Sequence, residues 1–290
     1  ACIMKSSKPI SGRYLGYREA DRATPYAGFF NPELAPLASH VCAALDRGGV
    51  PIDLLPGIDG AAENLFGDTA VLEDGWVLTQ DGGMRVSVRT DMPGVTPAMV
   101  DWWFGWHGDA PAKYKLWHPQ AHVHVGWRET PPAGTSGRAL YVGQTSIVDE
   151  YIGSDLIRGA ISFVPPASFG FTDPRLDDDQ QATIVCARLG LGDAPIDIGY
   201  LAHHVRAVPG GSEMRSRFWM GGAHVSGRNL VGSLAAAVAK RVLRLTESDA
   251  RALLVHCGQE MPHLAAFLPA LHAEFADNGP AGTSNTRTAS

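Results

Sequence analysis

The clearest sign of chemistry in this sequence is a histidine and a glutamate near its carboxyl end. His256 and Glu260 are four residues apart in a segment with helical periodicity, so their side chains share one helix face. Leu253, Leu264 and Phe267 belong to the same face, which indicates that it is buried. A buried carboxylate needs a proton, a cationic partner or a metal ion. The pair therefore predicts part of a metal site, with a simple hydrogen bond between the two side chains as the alternative.

A second group of histidines lies in the middle of the chain. His122 and His124 fall in a predicted strand, residues 121–128, where alternation places both on the same face. Imidazoles on this face, opposite a helix that carries a histidine and a glutamate, predict a three- or four-ligand site of the kind that holds zinc. His118 stands before a proline and is interpreted as a turn residue.

Two further pairs each contain one side chain that should face the interior. Asp149 and Glu150 are adjacent at the end of a predicted strand, so one carboxylate points inward as a further ligand and the other points outward. His203 and His204 are adjacent in another apolar strand. The inward histidine of that pair is either a catalytic group or a core side chain that hydrogen-bonds the backbone. The residue pattern alone does not choose within either pair.

These groups are distributed over a series of predicted strands and a long helix. Alternation at residues 84–89 and apolar segments bounded by turn residues predict the strands. The strands are predicted at residues 76–78, 84–89, 121–128, 138–148, 159–164, 181–189, 196–208 and 214–225. Helices are predicted at residues 34–47, 97–106, 229–245 and 247–275, the last with Thr246 as its N-cap and with Pro262 and Pro269 kinking or interrupting it. This order favours an α+β fold in which a curved antiparallel sheet wraps a long C-terminal helix and leaves a cavity between them.

The length and composition fit one large globular unit with a smaller appendage. A chain of 290 residues, 45% of them hydrophobic, can bury a sizeable core. Residues 1–75 contain many prolines and glycines and are interpreted as a small N-terminal region with a linker. Residues 76–290 are interpreted as the domain that carries the chemistry.

Charge, hydropathy and cysteine usage exclude several classes of function. The net charge of −6 has no block of like charges behind it, so a nucleic-acid partner is not expected. No segment approaches the roughly 20 apolar residues of a membrane-spanning helix, and no secretory signal is recognised. The four cysteines contain no CxxC pair and are interpreted as reduced thiols. A cytoplasmic protein without a membrane partner is expected.

Several short motifs, taken in order, resemble a known family. They are LWHPxxH at residues 116–122, DEYIG at residues 149–153, SRFWxG at residues 216–221 and HCxxEM at residues 256–261. Together they resemble the diacetylphloroglucinol hydrolases, a group that includes phloretin hydrolase. The resemblance spans residues 76–271. Four motifs in matching order are far more specific than any one of them.

The resemblance implies a zinc-dependent hydrolase that cleaves the carbon–carbon bond between a polyhydroxylated aromatic ring and an acyl group. It implies a START/Bet-v-like helix-grip fold, one zinc ion per chain and a homodimer to which the N-terminal region contributes. The four metal ligands that it implies are His122, Glu150, His256 and Glu260.

The resemblance also implies roles around the metal. Tyr114 is expected to contact a phenolic hydroxyl of the substrate, and His204 to stand beside the metal as an acid/base or orienting group. Glu150 is the other candidate for moving a proton. Trp219, near a position where the family can have a tyrosine, is expected to line the substrate site. A further departure, Val125 in place of an asparagine, implies a substrate that differs from diacetylphloroglucinol, either another acylated polyphenol or a β-diketone.

Two other functions suit the same architecture. A metal-free ligand-binding protein would use the histidines and glutamates only as polar groups in its pocket. A polyketide aromatase or cyclase would use the cavity for dehydration instead of hydrolysis. Bound zinc argues against the first, and release of a carboxylic acid separates the hydrolase from both.

Overall fold

The computed structural model describes residues 11–67 and 72–276. The helices of these ranges are α1 (Glu19–Arg22), α2 (Ser39–Arg47), α3 (Ala61–Phe66), α4 (Pro97–Trp106), α5 (Pro111–Trp117), α6 (Leu230–Val242) and α7 (Glu247–Phe275). The strands are β1 (Gly75–Leu78), β2 (Met84–Pro93), β3 (His122–Trp127), β4 (Thr145–Ile152), β5 (Asp155–Val164), β6 (Ala182–Leu191), β7 (Ile196–Val208), β8 (Gly211–Met220) and β9 (Ser226–Gly227).

The strands form one antiparallel sheet in the order β1-β2-β8-β7-β6-β5-β4-β3, with β9 paired to β7. Most neighbours in this sheet are also neighbours in sequence, as in a meander. The β4–β5 hairpin turns at Gly153, whose φ of 62° lies in the left-handed region that glycine adopts without strain. The predicted α+β fold, with a large antiparallel sheet and a long C-terminal helix, is confirmed.

Helix α7 packs on the inner face of the sheet and forms the main core with it. Leu254, Met261, Leu264 and Leu268 of α7 are fully buried in this core. Thr246 caps the helix, as the sequence predicted, and it also forms a capping box with Asp249. Of the two predicted effects of Pro262 and Pro269, a kink or an interruption, the interruption does not occur, because the helix runs through both prolines. Burial of the apolar face on both sides of each proline outweighs the roughly 3 kcal/mol that an internal proline costs.

The outer face of the sheet is covered by the N-terminal part of the chain. Ala61 and Leu65 of α3 pack against Ile184, Ala202 and Trp219 in a second apolar cluster. Both faces of the central strands are therefore buried. In such a sheet, a side chain that points away from the cavity can be as inaccessible as one that points into it.

One predicted strand begins too early, and one short helix was not predicted. Residues 138–148 were predicted as one strand, but they begin with a short 3-10 turn, Gly137–Leu140, and β4 starts only at Thr145. Helix α5 was not predicted, because its seven residues are too few to show a helical period. No helix in the described ranges is long and apolar enough to cross a membrane.

Helix α6 carries an unusual distribution of side chains. Gly232, Ala236 and Ala239, all small, are its buried residues. Its exposed large side chains form a stripe at helical spacing, namely Leu230, Val231, Leu234, Val238 and Val242. A helix normally buries its larger apolar residues, so this stripe is a surface suited to contact with another molecule.

Candidate metal centre

The first two predicted ligands meet where β3 pairs with β4 at the edge of the sheet. His122 lies directly opposite Glu150, and side chains opposite each other in an antiparallel pair point to the same face. His122 is fully buried, and Glu150 lines the cavity between the sheet and α7. This pairing selects Glu150, not Asp149, as the inward carboxylate.

An irregularity in β3 separates the two histidines that were predicted to share a face. The register shifts between His122 and His124, so His124 pairs with Asp149 although His122 pairs with Glu150. Asp149 and Glu150 are adjacent and therefore point to opposite faces, which places His124 on the outer side. There Asp149 forms an ion pair with Arg13. Burial and the Arg13 charge lower the pKa of His124.

Helix α7 supplies the other two predicted ligands from the opposite side of the cavity. His256 and Glu260 are both about 6% exposed and line the same cavity as Glu150. The Nε2 atom of His256 lies 3.5 Å from a Glu260 oxygen and 3.8 Å from a Glu150 oxygen. The Nε2 atom of His122 lies 3.5 Å from an oxygen of each glutamate.

These distances suit a tetrahedral ion. Zinc–nitrogen and zinc–oxygen bonds of about 2.0–2.1 Å place tetrahedral ligand atoms roughly 3.4 Å from one another. The ligand atoms of His122, Glu150 and His256 all lie within 4.8 Å of one another, so these three residues could hold one ion. A Glu260 oxygen lies 3.5 Å from the Nε2 atom of each histidine, which places the fourth predicted ligand next to this group.

The tautomer of His122 provides an independent test of the fit. Its Nδ1 lies 3.0 Å from the Tyr114 carbonyl oxygen, which can only accept, so Nδ1 carries the proton. Nε2 then has a free lone pair directed at the glutamates, and it is buried without a hydrogen-bond partner among the described residues. A backbone carbonyl that fixes the ring while the other nitrogen stays open is the arrangement typical of a metal-binding histidine.

The electrostatics of the α7 pair are strongly coupled. Burial disfavours the charged form of His256, but the Glu260 and Glu150 carboxylates outweigh burial and raise its pKa. Burial likewise opposes ionisation of Glu260, but the charge of His256 outweighs burial and holds the pKa of Glu260 well below the usual range. Glu260 therefore stays ionised in a buried place, as a carboxylate that binds a cation must.

Tyr114 links α5 to the four-residue group. Its hydroxyl donates a 2.5 Å hydrogen bond to Glu150, and its ring stacks on His122 with 3.7 Å between centroids. Burial first, and then the nearby Glu150 carboxylate, raise the pKa of Tyr114 far above its ordinary value. Tyr114 therefore stays protonated and acts as a hydrogen-bond donor.

The structure places His203, and not His204, in the cavity. His203 shares a 2.8 Å hydrogen bond with Ser216 and lies near enough to Glu260 for that charge to raise its pKa. Burial dominates and lowers the pKa of His203 to about 4, so the ring is neutral. His204 points to the outer face, where its ring contacts Phe66 at 4.7 Å. The expectation that His204 stands beside the metal is therefore wrong, and alternation along β7 is the reason.

The same alternation corrects the placement of Trp219. Trp219 lies on the outer face, packed in the second apolar cluster, and its indole nitrogen donates to the Pro56 carbonyl. Its neighbour Phe218 lines the cavity, where its ring meets that of His203 edge to face at 5.7 Å. Trp219 is thus not available to a ligand in this cavity.

Two further histidines near the site were not singled out as functional by the sequence. His107 lines the cavity, and its Nδ1 donates to the Trp103 carbonyl. Burial lowers the pKa of His107 to about 3, so this ring is neutral. His118 stacks on the metal-facing His256 with 4.9 Å between centroids. A histidine at the end of a short unpredicted helix carries no sequence signal of such a contact.

Comparison with known proteins points to one family. The model of the family described as the DAPG hydrolase PhiG domain matches residues 55–273, a range that contains the whole four-residue group. A 2,4-diacetylphloroglucinol hydrolase from Pseudomonas protegens is 31% identical over 279 residues, covering 93% of this chain and 90% of the relative. Phloretin hydrolase from Eubacterium ramulus is 28% identical over 273 residues, covering 92% of this chain and 96% of the relative.

The solved structures to which the chain is similar are more distant in sequence. Ara h 8.0201 is 10% identical with a TM-score of 0.31, and covers 60% of this chain and 99% of its own. The ginseng major latex-like protein 151 from Panax ginseng is 12% identical with a TM-score of 0.32, covering 60% and 97%.

Proposed function

The chain belongs to the DAPG hydrolase family, and from that membership we propose that it is a zinc-dependent hydrolase of acylated polyphenols. The bond cleaved joins a polyhydroxylated aromatic ring to the carbonyl carbon of an acyl group. The observation that carries this proposal is the metal-capable group of His122, Glu150 and His256, with Glu260 in contact with both histidines, beside a largely apolar cavity. Relatives named for 2,4-diacetylphloroglucinol and phloretin support the substrate class.

One zinc ion per chain would be held by His122, Glu150, His256 and Glu260. When bound, such an ion supplies a Lewis acid that polarises a carbonyl group and acidifies water. The open Nε2 of His122 and the low pKa of Glu260 support this assignment. Mixed imidazole and carboxylate ligands also accept other divalent ions, so zinc itself is part of the proposal.

In this reaction the ring carbon is the leaving group, and it must take up a proton as it leaves. The hydroxyl group of water bonds to the acyl carbon, the bond from that carbon to the ring breaks, and the ring carbon takes up a proton. The products are a carboxylic acid and the deacylated polyphenol. A neutral ring at His203, inside the cavity, is placed to move that proton, and Glu150 is a second candidate. The Tyr114 hydroxyl, which donates to Glu150 in the structure, is a donor that can turn to a ring hydroxyl as charge develops on the ring.

The function is tested by activity and metal content of the purified chain. We expect about one zinc per chain, the content of a single four-ligand site. We also expect release of the carboxylic acid and of phloroglucinol in equal amounts from an acylphloroglucinol. Zinc-free protein that binds the compound unchanged would instead indicate a binding protein. Dehydration of the compound without release of an acid would indicate a cyclase.

Replacing Tyr114 with phenylalanine separates the role of its hydroxyl as a hydrogen-bond donor from the packing of its ring. The ring can still stack on His122, but the hydroxyl donor is lost. We expect zinc content to remain and turnover at saturating zinc to fall about 100-fold, as for loss of one donor to developing charge. Steady-state rates measured across a zinc titration check this. Full recovery of the rate at high zinc would show that Tyr114 only supports Glu150.

Quaternary structure and location stay proposals as well. We propose a homodimer, which the resemblance implies and which the exposed apolar stripe of α6 supports as a second contact surface. A cytoplasmic location stays a prediction from the sequence.

A further inference from the structure

The cavity has two ends of different chemistry. The metal end is lined by polar side chains from α5, β4, β7 and α7, and by the histidine that directly follows α4. These residues are His107, Tyr114, Glu150, His203, His256 and Glu260. The distal end is lined by apolar side chains from the sheet and the start of α7, namely Met84, Leu189, Ile198, Met220, Leu243 and Leu245. Asp155 and Asp249 are the carboxylates among the remaining lining residues.

Helix α7 shows how far the cavity extends beyond the metal group. The α7 residues that line it beyond His256 are Leu253, Ala252 and finally Asp249. The seven residues from His256 back to Asp249 correspond to roughly 10 Å at 1.5 Å per residue. Beyond the carbonyl carbon, an acetyl group adds one carbon–carbon bond of about 1.5 Å. A substrate with only acetyl groups would leave most of this length without contact.

The polar end determines which way the substrate lies. The hydroxyl groups of a polyphenol ring lose water on entering the cavity and need hydrogen-bond partners there. Tyr114 and the neutral rings of His107 and His203 are such partners, and all lie at the metal end. When the polyphenol ring of the substrate lies among these side chains and its acyl carbonyl lies at the metal group, the acyl chain points along α7 toward the distal end.

We propose that the distal end is a binding site for a long apolar acyl chain, so that the preferred substrates carry hexanoyl or longer groups instead of acetyl. This inference rests on the proposed hydrolase function. Each methylene that enters the distal end adds buried apolar surface, which raises affinity by at most about fourfold.

The test is a series of monoacylphloroglucinols with acetyl, butanoyl, hexanoyl and octanoyl groups. We expect kcat/KM to rise with chain length, by at least tenfold from acetyl to hexanoyl. Equal values along the series, or a maximum at acetyl, would overturn the acyl-chain site while leaving the hydrolase function in place. No hydrolysis of any member would contradict the proposed function itself.

A variant pair tests where the chain lies. Leu253 lines the cavity between the metal group and the distal end, and Leu253→Trp would narrow this passage. We expect the ratio of kcat/KM for octanoyl over acetyl to fall at least tenfold. Val208→Trp, at the exposed end of β7, is the control and should leave the ratio unchanged. An unchanged ratio in Leu253→Trp, with zinc content intact, would contradict the placement.

Discussion

Replacing His122 with alanine is expected to remove bound metal and hydrolytic activity together. His122 is fully buried, and its unpaired Nε2 faces two carboxylates. Without it, Glu150 and Glu260 share one imidazole, and the binding site loses a ligand. Loss of a supporting partner alone costs roughly 10–100-fold in metal affinity, so loss of a ligand should cost more.

The matched control is His124→Ala, two residues along the same strand. From strand alternation both histidines should face the cavity, but the register shift turns His124 outward toward Asp149. We therefore expect His124→Ala to keep one zinc per chain and most of the activity. Metal analysis and zinc titration against a competing chelator measure both variants. Equal loss of zinc in the two variants would contradict the conclusion that the register shift in β3 turns His124 away from the metal group.

The second large effect is expected at His203. His203→Gln keeps a polar group beside Ser216 but removes the ring nitrogens that could carry a proton. General acid–base groups contribute about 10²–10⁴-fold to rates, so we expect kcat to fall by at least 100-fold. Zinc content should stay at one per chain, because the four-residue group is intact.

His204→Gln is the control for His203→Gln. His204 is as buried as its neighbour, but it lies on the outer face beside Phe66. We expect a lower melting temperature at most, with kcat within a few-fold of the unmodified protein. Rates at saturating substrate and zinc, together with thermal unfolding, measure both variants. A larger loss of kcat in His204→Gln than in His203→Gln would return the catalytic role to His204.

Much of this molecule could be predicted from its sequence. The spacing of His256 and Glu260 predicts a shared face of a helix, and the structure places both on the cavity side of α7. The fold class follows from a succession of strands before a long apolar helix. These features depend on residues close in sequence, where the periods of 3.6 and 2 apply directly.

The orientation of each adjacent pair was decided by tertiary structure. Alternation says that Asp149 and Glu150 point to opposite faces, as do His203 and His204, but it does not say which face holds the cavity. In a sheet buried on both sides, the outward residues His204 and Trp219 are as buried as the inward residues. Only the pairing of β3 with β4, and the cover that α3 provides, distinguishes the two faces.

The register shift in β3 is the other feature that the sequence does not show. A bulge places more residues on one strand than on the partner strand opposite it, so it can be recognised only when the partner is known. Here the partner strand, β4, begins 23 residues after His122. The sequence by itself thus determined which residue types are available as ligands and which elements carry them. The tertiary structure decided which of them share one point, because strand register and the choice of buried face depend on contacts between segments far apart in the chain.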